Sequence, residues 1–398
     1  MSNQIYYHRR LEPRLNQALK QFPAVVVTGG RQSGKSTMLQ KAFPDYTYLN
    51  LDDPQIRLIA MQDPRLFLTA YSKPMIIDEI QYVPELLNYI KMEIDKNRHN
   101  YGQYLLTGSQ MFNLMSGVSE SLAGRVAVFH LYPFSVEEIL DHDRVNFYDE
   151  AVLFKHFLQG FYPEHYVNKN LNSELWFASY VSTYIERDIR NIRKVSDLGQ
   201  FQIFIQVLAT RAGNLLSLSE ISRDCGISVP TAKAWLSLLE STYIVYLLKP
   251  FYHNVGIRLI KSPKLYFVDT GILCYFLGID SPERLLKSPE KGRIYENFLI
   301  MEFLKAYLNR FNKAPFSFYR TANGVEVDLI IEFAGKCTGI EMKFSKTPSI
   351  KMAQNLKRLN KEQKLNKAVV LNLHQEKLPL GEGVNALHWL DGLKSTIA

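Results

Sequence analysis

The sequence predicts an α/β protein in three parts: a parallel-sheet domain over residues 1–165, a helical domain with a small β-element over 166–265, and a second α/β domain over 266–398. Three observations predict it. Short apolar runs in the first part end in glycine or polar residues, as parallel strands do where they present groups to a ligand. The middle reads as helix, tight turn, helix. The last part reads as a long amphipathic helix followed by three strand-like runs with glycines at the turns.

Composition sets the class. Of 398 residues, 46% are hydrophobic and 22% charged, which suits a folded chain with real cores rather than a disordered one. The net charge of +8 favours polyanionic partners, nucleic acid before membrane surface. Cys225, Cys274 and Cys337 lie too far apart for metal or redox spacing, so free thiols in a reducing compartment are expected. The N-terminus "MSNQIYYHRRLEPRL" has no apolar signal core, and runs such as "TYIVYLLKPFY" are too short to span a bilayer. A cytoplasmic protein with no membrane contact is expected.

The first element is "PAVVVTGGRQSGKSTMLQKAF": an apolar strand, a glycine-rich turn and an amphipathic helix. The pattern G-x-x-x-x-G-K-S runs from Gly29 to Ser36 and is that of a P-loop. Gly29, Gly30, Arg31, Gln32, Ser33 and Gly34 would wrap backbone amides around phosphates. Lys35 would supply a point charge, Ser36 a hydroxyl for Mg²⁺, and Thr37 the first helical turn. In "KPMIIDEIQ" the apolar run Met75 to Ile77 ends in Asp78 and Glu79. Asp78 would hold Mg²⁺, and Glu79 would orient or deprotonate an attacking water. A third run, "QYLLTGSQ", offers Ser109, Thr107 or Gln110 as a reader of the γ-phosphate. Arg125, just before "VAVFHL", is placed to stabilise transferring phosphate in cis or from a neighbouring subunit of a homo-oligomer.

In the middle, Arg187, Arg190, Arg193 and Lys194 recur at helical spacing as one basic stripe. "LLSLSEISRDCGISVPTAKAWLSLLE" places a first helix over Ser219 to Asp224, a turn at Gly226, an N-cap at Ser228 and Pro230 in the first turn of a second helix. Ala232, Trp235, Leu236 and Leu239 face inward, and Thr231, Lys233 and Ser237 outward. This is a helix–turn–helix pattern. The runs "YIVYLLKPF" and "KLYFVD" around "YHNVGIRLIKSP" look like the wing of a winged helix. Between Ser241 and Val268 stand Lys249, Arg258, Lys261 and Lys264 with no acid, which favours phosphate contact. The exposed helix face is poor in arginine and asparagine, which argues against base-specific reading.

In the last part the helix "GRIYENFLIMEFLKAYLNR" carries Glu296 and Glu302, and "FSFYR", "EVDLIIEF" and "CTGIEMKF" read as strands turning at Gly324 and Gly335. Strand alternation places Glu341 and Lys343 on one face, with Asp328 thirteen positions earlier on the neighbouring strand. Asp328 and Glu341 with Glu296 would bind Mg²⁺, and Lys343 would position water, for phosphodiester hydrolysis. The Asp…Glu-x-Lys pattern is that of the restriction-endonuclease-like fold; a non-cleaving binding scaffold is the alternative.

Together "GGRQSGKST", "IIDEIQ", "LLTGSQ" and "SLAGR" resemble the ATPase core of the AAA+ class. With "YIERDIRNI", the helix–turn–helix segment, "KSPKLYFVDTG" and "VEVDLIIE…GIEMK", nearly the whole chain resembles a widespread prokaryotic family joining such a core to a C-terminal domain of unknown function. The expected fold is therefore a P-loop NTPase domain, a helical winged-helix domain and a restriction-endonuclease-like α/β domain. The expected function is an ATPase using ATP and Mg²⁺ that couples nucleotide state to DNA binding or processing. The alternatives are an ATP-dependent switch contacting protein partners with an inactive nuclease-like domain, and a regulator that reads DNA sequence through the winged helix.

Overall fold

The computed structural model describes residues 5–109, 122–185, 198–251 and 262–397. Five strands form the first sheet: β1 (Ala24–Thr28), β2 (Thr47–Asn50), β3 (Met75–Asp78), β4 (Tyr104–Gly108) and β5 (Val126–His130). They pair in parallel in the order β2-β3-β4-β1-β5. β1 and β3 are buried along their whole length, because helices cover both faces, and only their last residues, Thr28 and Asp78, are polar. Val26, Ile77 and Leu106 pack against Leu86 and Ile90 on one face; Val25, Val27 and Ile76 pack against Leu15, Met38 and Leu39 on the other. The register sets Thr28 beside Gly108 and His130 at the carboxyl edge, and Asp78 beside Asn50 at the same edge. That edge is where the candidate site forms.

The helix–turn–helix is formed by helices Leu218–Asp224 and Val229–Ser241. Gly226 turns between them at φ +64, a left-handed backbone that glycine adopts freely. Ser228 Oγ accepts from Thr231 N at 3.2 Å and caps the second helix. Ala232, Trp235, Leu236 and Leu239 are buried as the spacing predicts, and Trp235 meets Phe201 and Phe204 edge-on. Strands β6 (Val245–Leu248) and β7 (Lys264–Phe267) then pair antiparallel. The expected division between residues 265 and 266 falls inside β7. Arg258 and Lys261 of the expected wing, Gln110, and the stripe Arg187, Arg190, Arg193 and Lys194 lie outside the described residues.

The second large sheet has the order β12-β13-β11-β10-β9-β8. Its strands are β8 (Phe316–Arg320), β9 (Glu326–Phe333), β10 (Lys336–Met342), β11 (Lys367–Asn372), β12 (Leu378–Gly381) and β13 (Val384–His388). β8, β9 and β10 are the three runs the sequence predicts. β9 and β10 pair antiparallel, and β10, β11 and β13 run parallel. The 20-residue helix Lys291–Arg310 and the helix Trp389–Ile397 cover one face, and helix Gln354–Gln363 the other. The first of these faces shares one hydrophobic core with the middle segment, a cluster that also takes in Tyr7 and Phe134 from the first part. Among the described residues, no helix is long and apolar enough to cross a membrane.

Candidate functional site

The glycine-rich turn joins β1 to helix Lys35–Ala42. Glycine is required at its start, since a Cβ on Gly29 would sit 2.1 Å from Leu131 O. Gly34 takes φ +88 and Gln32 φ 60, so the loop curls through left-handed backbone before the helix begins at Lys35. Lys35 is buried, and its Nζ donates to Gly29 O and Gly30 O at 2.9 Å each. Burial lowers its pKa, with Glu79 and Asp78 pulling the other way. Ser33 Oγ is buried with no hydrogen-bond partner among the described residues. Gln32, Gly34 and Thr37 line a cavity of about 150 Å³ closed by Tyr6, Pro163 and Val167.

The acids at the end of β3 are held by different partners. Asp78 is buried and accepts from Thr107 Oγ1 and, at 2.6 Å, from the Tyr48 hydroxyl. Ser36 and Gln40 also lie near the Tyr48 hydroxyl. The loop serine and the strand aspartate thus both lie close to one phenol. Burial, then Asp78, raise the Tyr48 pKa. Glu79 takes left-handed backbone at φ 56. Its Oε2 accepts from Ser109 Oγ at 3.3 Å and from Gln81 Nε2, and Gln81 Nε2 also lies 3.3 Å from Ser109 Oγ. Of the expected γ-phosphate readers, Ser109 stands beside Glu79, while Thr107 is turned to Asp78. The magnesium that this fold class implies fits the donor set, since the Ser36 hydroxyl and the Asp78 carboxylate both lie near the Tyr48 hydroxyl.

Arg125 does not reach this edge. Val126 pairs with Ala24, so Arg125 lies at the amino-terminal edge of the parallel sheet, roughly 16 Å from the loop at about 3.3 Å per strand residue. Asp95 holds it there, 2.7 Å from Nε and 3.1 Å from Nη2. The expected cis role is thus corrected. In its place the structure brings up an arginine without a motif, Arg9. It is buried, donates to the loop carbonyl Ser33 O at 2.7 Å, and pairs with Glu138 at 3.0 Å. Only a long-range contact reveals it.

Glu296, Asp328, Glu341 and Lys343 do come together, but with a second ammonium among them. Lys264 Nζ lies 2.9 Å from Glu296, 2.5 Å from Glu326 and 3.9 Å from Asp328. Lys343 Nζ lies 2.7 Å from Glu341 and 3.7 Å from Asp328. Tyr266 donates to Glu296 at 2.6 Å, and Met342 N to Asp328 at 2.7 Å. Glu341 Oε2 is buried with no hydrogen bond; burial, then Asp328, push that carboxyl up to about 8. Among the described residues no three His, Cys, Asp or Glu are arranged to hold a metal ion. Two lysine ammonium groups, Lys264 and Lys343, stand among the acids expected as a magnesium shell, Glu296, Asp328 and Glu341. Lys264, expected as a phosphate contact, is 1% exposed and spent inside.

Residues 21–140 match a family model described as an AAA domain, and residues 150–283 and 291–391 match two models each described as a domain of unknown function, DUF8612 and DUF4143. With the parallel sheet and the loop geometry, the first part is a P-loop NTPase domain of the AAA class. The chain is 30% identical over 378 residues to the uncharacterized protein Rv2008c of Mycobacterium tuberculosis, and equally to the uncharacterized protein Mb2031c of Mycobacterium bovis. The alignment covers 94% of this chain and 82% of each relative, and the chain belongs to the family of these proteins. Among solved structures, the Walker-type ATPase paby2304 of Pyrococcus abyssi is similar at 13% identity, over 69% of this chain and 97% of that one, with a TM-score of 0.46. RuvB of Thermotoga maritima is similar at 13% identity, over 59% and 88%, with a TM-score of 0.28.

Proposed function

We propose that this protein is an ATP-hydrolysing molecular switch whose C-terminal domain cuts nothing. The observation that carries the reading is Lys35: a buried ammonium satisfied by its own loop carbonyls, across from the Asp78–Glu79 pair. Such a group gains most when phosphate oxygens replace the carbonyls. The nucleoside would occupy the cavity beside Gly34 and Thr37. Ser36 and Asp78 would hold Mg²⁺, which neutralises charge on the outer phosphates when bound. Glu79 would accept the proton of the attacking water, and Ser109 would fix the carboxylate that does so. ATP titration tests the reading: Lys35→Ala should lose binding and turnover together, and unchanged ATP affinity in that variant would overturn it.

The non-cleaving half of the proposal rests on the lysines within the acid cluster, since an ammonium 2.9 Å from Glu296 competes with any divalent ion for that oxygen. A second reading, ATP-dependent DNA contact, is favoured by the helix–turn–helix with Lys233 and Lys249 exposed. Duplex binding across a salt series, with and without ATP, separates the two: the DNA reading needs affinity that changes with nucleotide and falls with salt.

A further inference from the structure

Helix Val229–Ser241 ends in a Schellman turn. Ile244 N donates to Leu239 O at 2.9 Å, and Tyr243 N to Glu240 O at 3.1 Å. The residue just past the cap is then left-handed, and here it is Tyr243, at φ 61. Glycine is the ordinary occupant because a Cβ is crowded there. The departure has a clear geometric consequence. Left-handed backbone swings the buried Tyr243 side chain onto the phosphate loop, where its Cβ is 3.4 Å from the position a Cβ on Gly30 would take. Its hydroxyl lies 2.7 Å from His130 Nδ1 and 3.3 Å from Thr28 Oγ1. Tyr132 meets its ring edge-on at 5.4 Å. One residue thus touches the loop and the carboxyl ends of both β1 and β5. On its other side the chain continues directly into β6, and Ile244 O accepts from Val268 N at 3.0 Å just beyond β7. β7 in turn carries Lys264 into the C-terminal acid cluster.

We propose that Tyr243 is the contact through which nucleotide occupancy of the 29–37 loop reaches the helix–turn–helix and the β6–β7 pair. This rests on the reading that the loop binds ATP. Phosphates arriving at Lys35 draw its ammonium from the Gly29 and Gly30 carbonyls, which frees the Gly30 backbone to shift. Tyr243 lies beside it and is hydrogen-bonded to Thr28 and His130 at the strand ends that flank the loop, and its own backbone is held left-handed by its surroundings, so a displacement of the loop biases the end of the helix. Strained backbone at such a position has no role in holding the turn itself, which glycine would hold better.

Hydrogen exchange on the full chain tests this, read in peptides covering residues 229–248 and 264–276. Exchange is measured with and without a slowly hydrolysed ATP analogue and Mg²⁺, at concentrations shown by separate titration to saturate each variant. In the wild type, nucleotide should change amide exchange near residues 239–246 by about fivefold or more, the lower end of ordinary coupling between sites. Tyr243→Phe, which loses both hydroxyl contacts, should bind nucleotide with a much smaller change. Tyr243→Gly, which places the usual residue in the turn and so keeps the fold, should abolish it. A wild type that saturates with nucleotide yet shows no change there overturns the coupling and leaves ATP binding standing. A full change persisting in Tyr243→Gly overturns it equally. A wild type that binds no nucleotide removes the underlying reading together with the proposal.

Discussion

Glu79 shows how much a single residue's surroundings decide. Its backbone is left-handed, which for a residue with a Cβ costs about 1–2 kcal/mol and is sustained by neighbouring structure. Its carboxylate is held by Ser109 and Gln81 rather than left to solvent. Glu79→Gln is isosteric and removes only the ability to take a proton. ATP binding should therefore remain while hydrolysis falls by roughly 10²–10⁴-fold, read as single-turnover rate against nucleotide affinity. Equal loss of both would assign Glu79 to binding. The loop and Asp78, Glu79 and Ser109 were legible in the sequence because they sit at fixed offsets from strand ends. Tyr48 and Arg9 were not. Tyr48 is one of 23 tyrosines, in a run with no motif. Arg9 acts on Ser33 from 24 positions away, through a path that spacing does not encode.

Elements formed where local signals agreed. The second helix of the helix–turn–helix starts at Val229, with Ser228 as cap and Pro230 in its first turn, as the sequence predicts. Ser228→Ala should cost about 1 kcal/mol of stability, the ordinary worth of such a cap, measured by denaturant unfolding. A markedly larger loss would mean that Ser228 does more than cap this helix. The β9–β10 pair was equally legible, and the observed register of Ile340 opposite Leu329 sets Glu341 across from Asp328. β11, β12 and β13 were not read from the sequence. Two of them are short, and β12 to β13 turn through left-handed Glu382 and Gly383, a turn without a strong motif. At this scale the position of Arg125 was legible, but not that it lies far from its own loop. Its strand was expected, but a parallel neighbour fixes which end of the sheet it occupies.

At the scale of the whole molecule, the acid cluster joins the middle segment to the C-terminal sheet. Lys264 arrives from β7, Glu296 from the long helix, Glu326 and Asp328 from β9, and Glu341 and Lys343 from β10 and its end. Burial first, and then Asp328, raise the Glu341 carboxyl from its ordinary 4.5 to about 8. The folded protein therefore keeps a proton that the unfolded chain gives up. The stability this contributes is fully present below about 4.5 and is lost as pH rises through about 8. Each pH unit inside that window corresponds to at most about 1.4 kcal/mol. Wild type should thus lose thermal stability relative to Glu341→Gln as pH rises across the window, compared by melting temperature in matched buffers. A difference that stays flat with pH would show that Glu341 is ionised in the fold.

By itself the sequence determined the parallel-sheet P-loop domain, the phosphate loop, the acids that follow it, the helix–turn–helix and the Asp328–Glu341–Lys343 alignment. All of these are written in spacings of a few residues, where strand and helix periods govern. Only the tertiary structure decided that Lys264 enters the acid cluster instead of facing solvent, that Arg125 sits at the far edge of the sheet, and that Arg9 and Tyr243 press on the loop. Those outcomes depend on contacts between distant segments, and the free energy of burying a charge or a ring is set by what it meets there rather than by its neighbours in the chain.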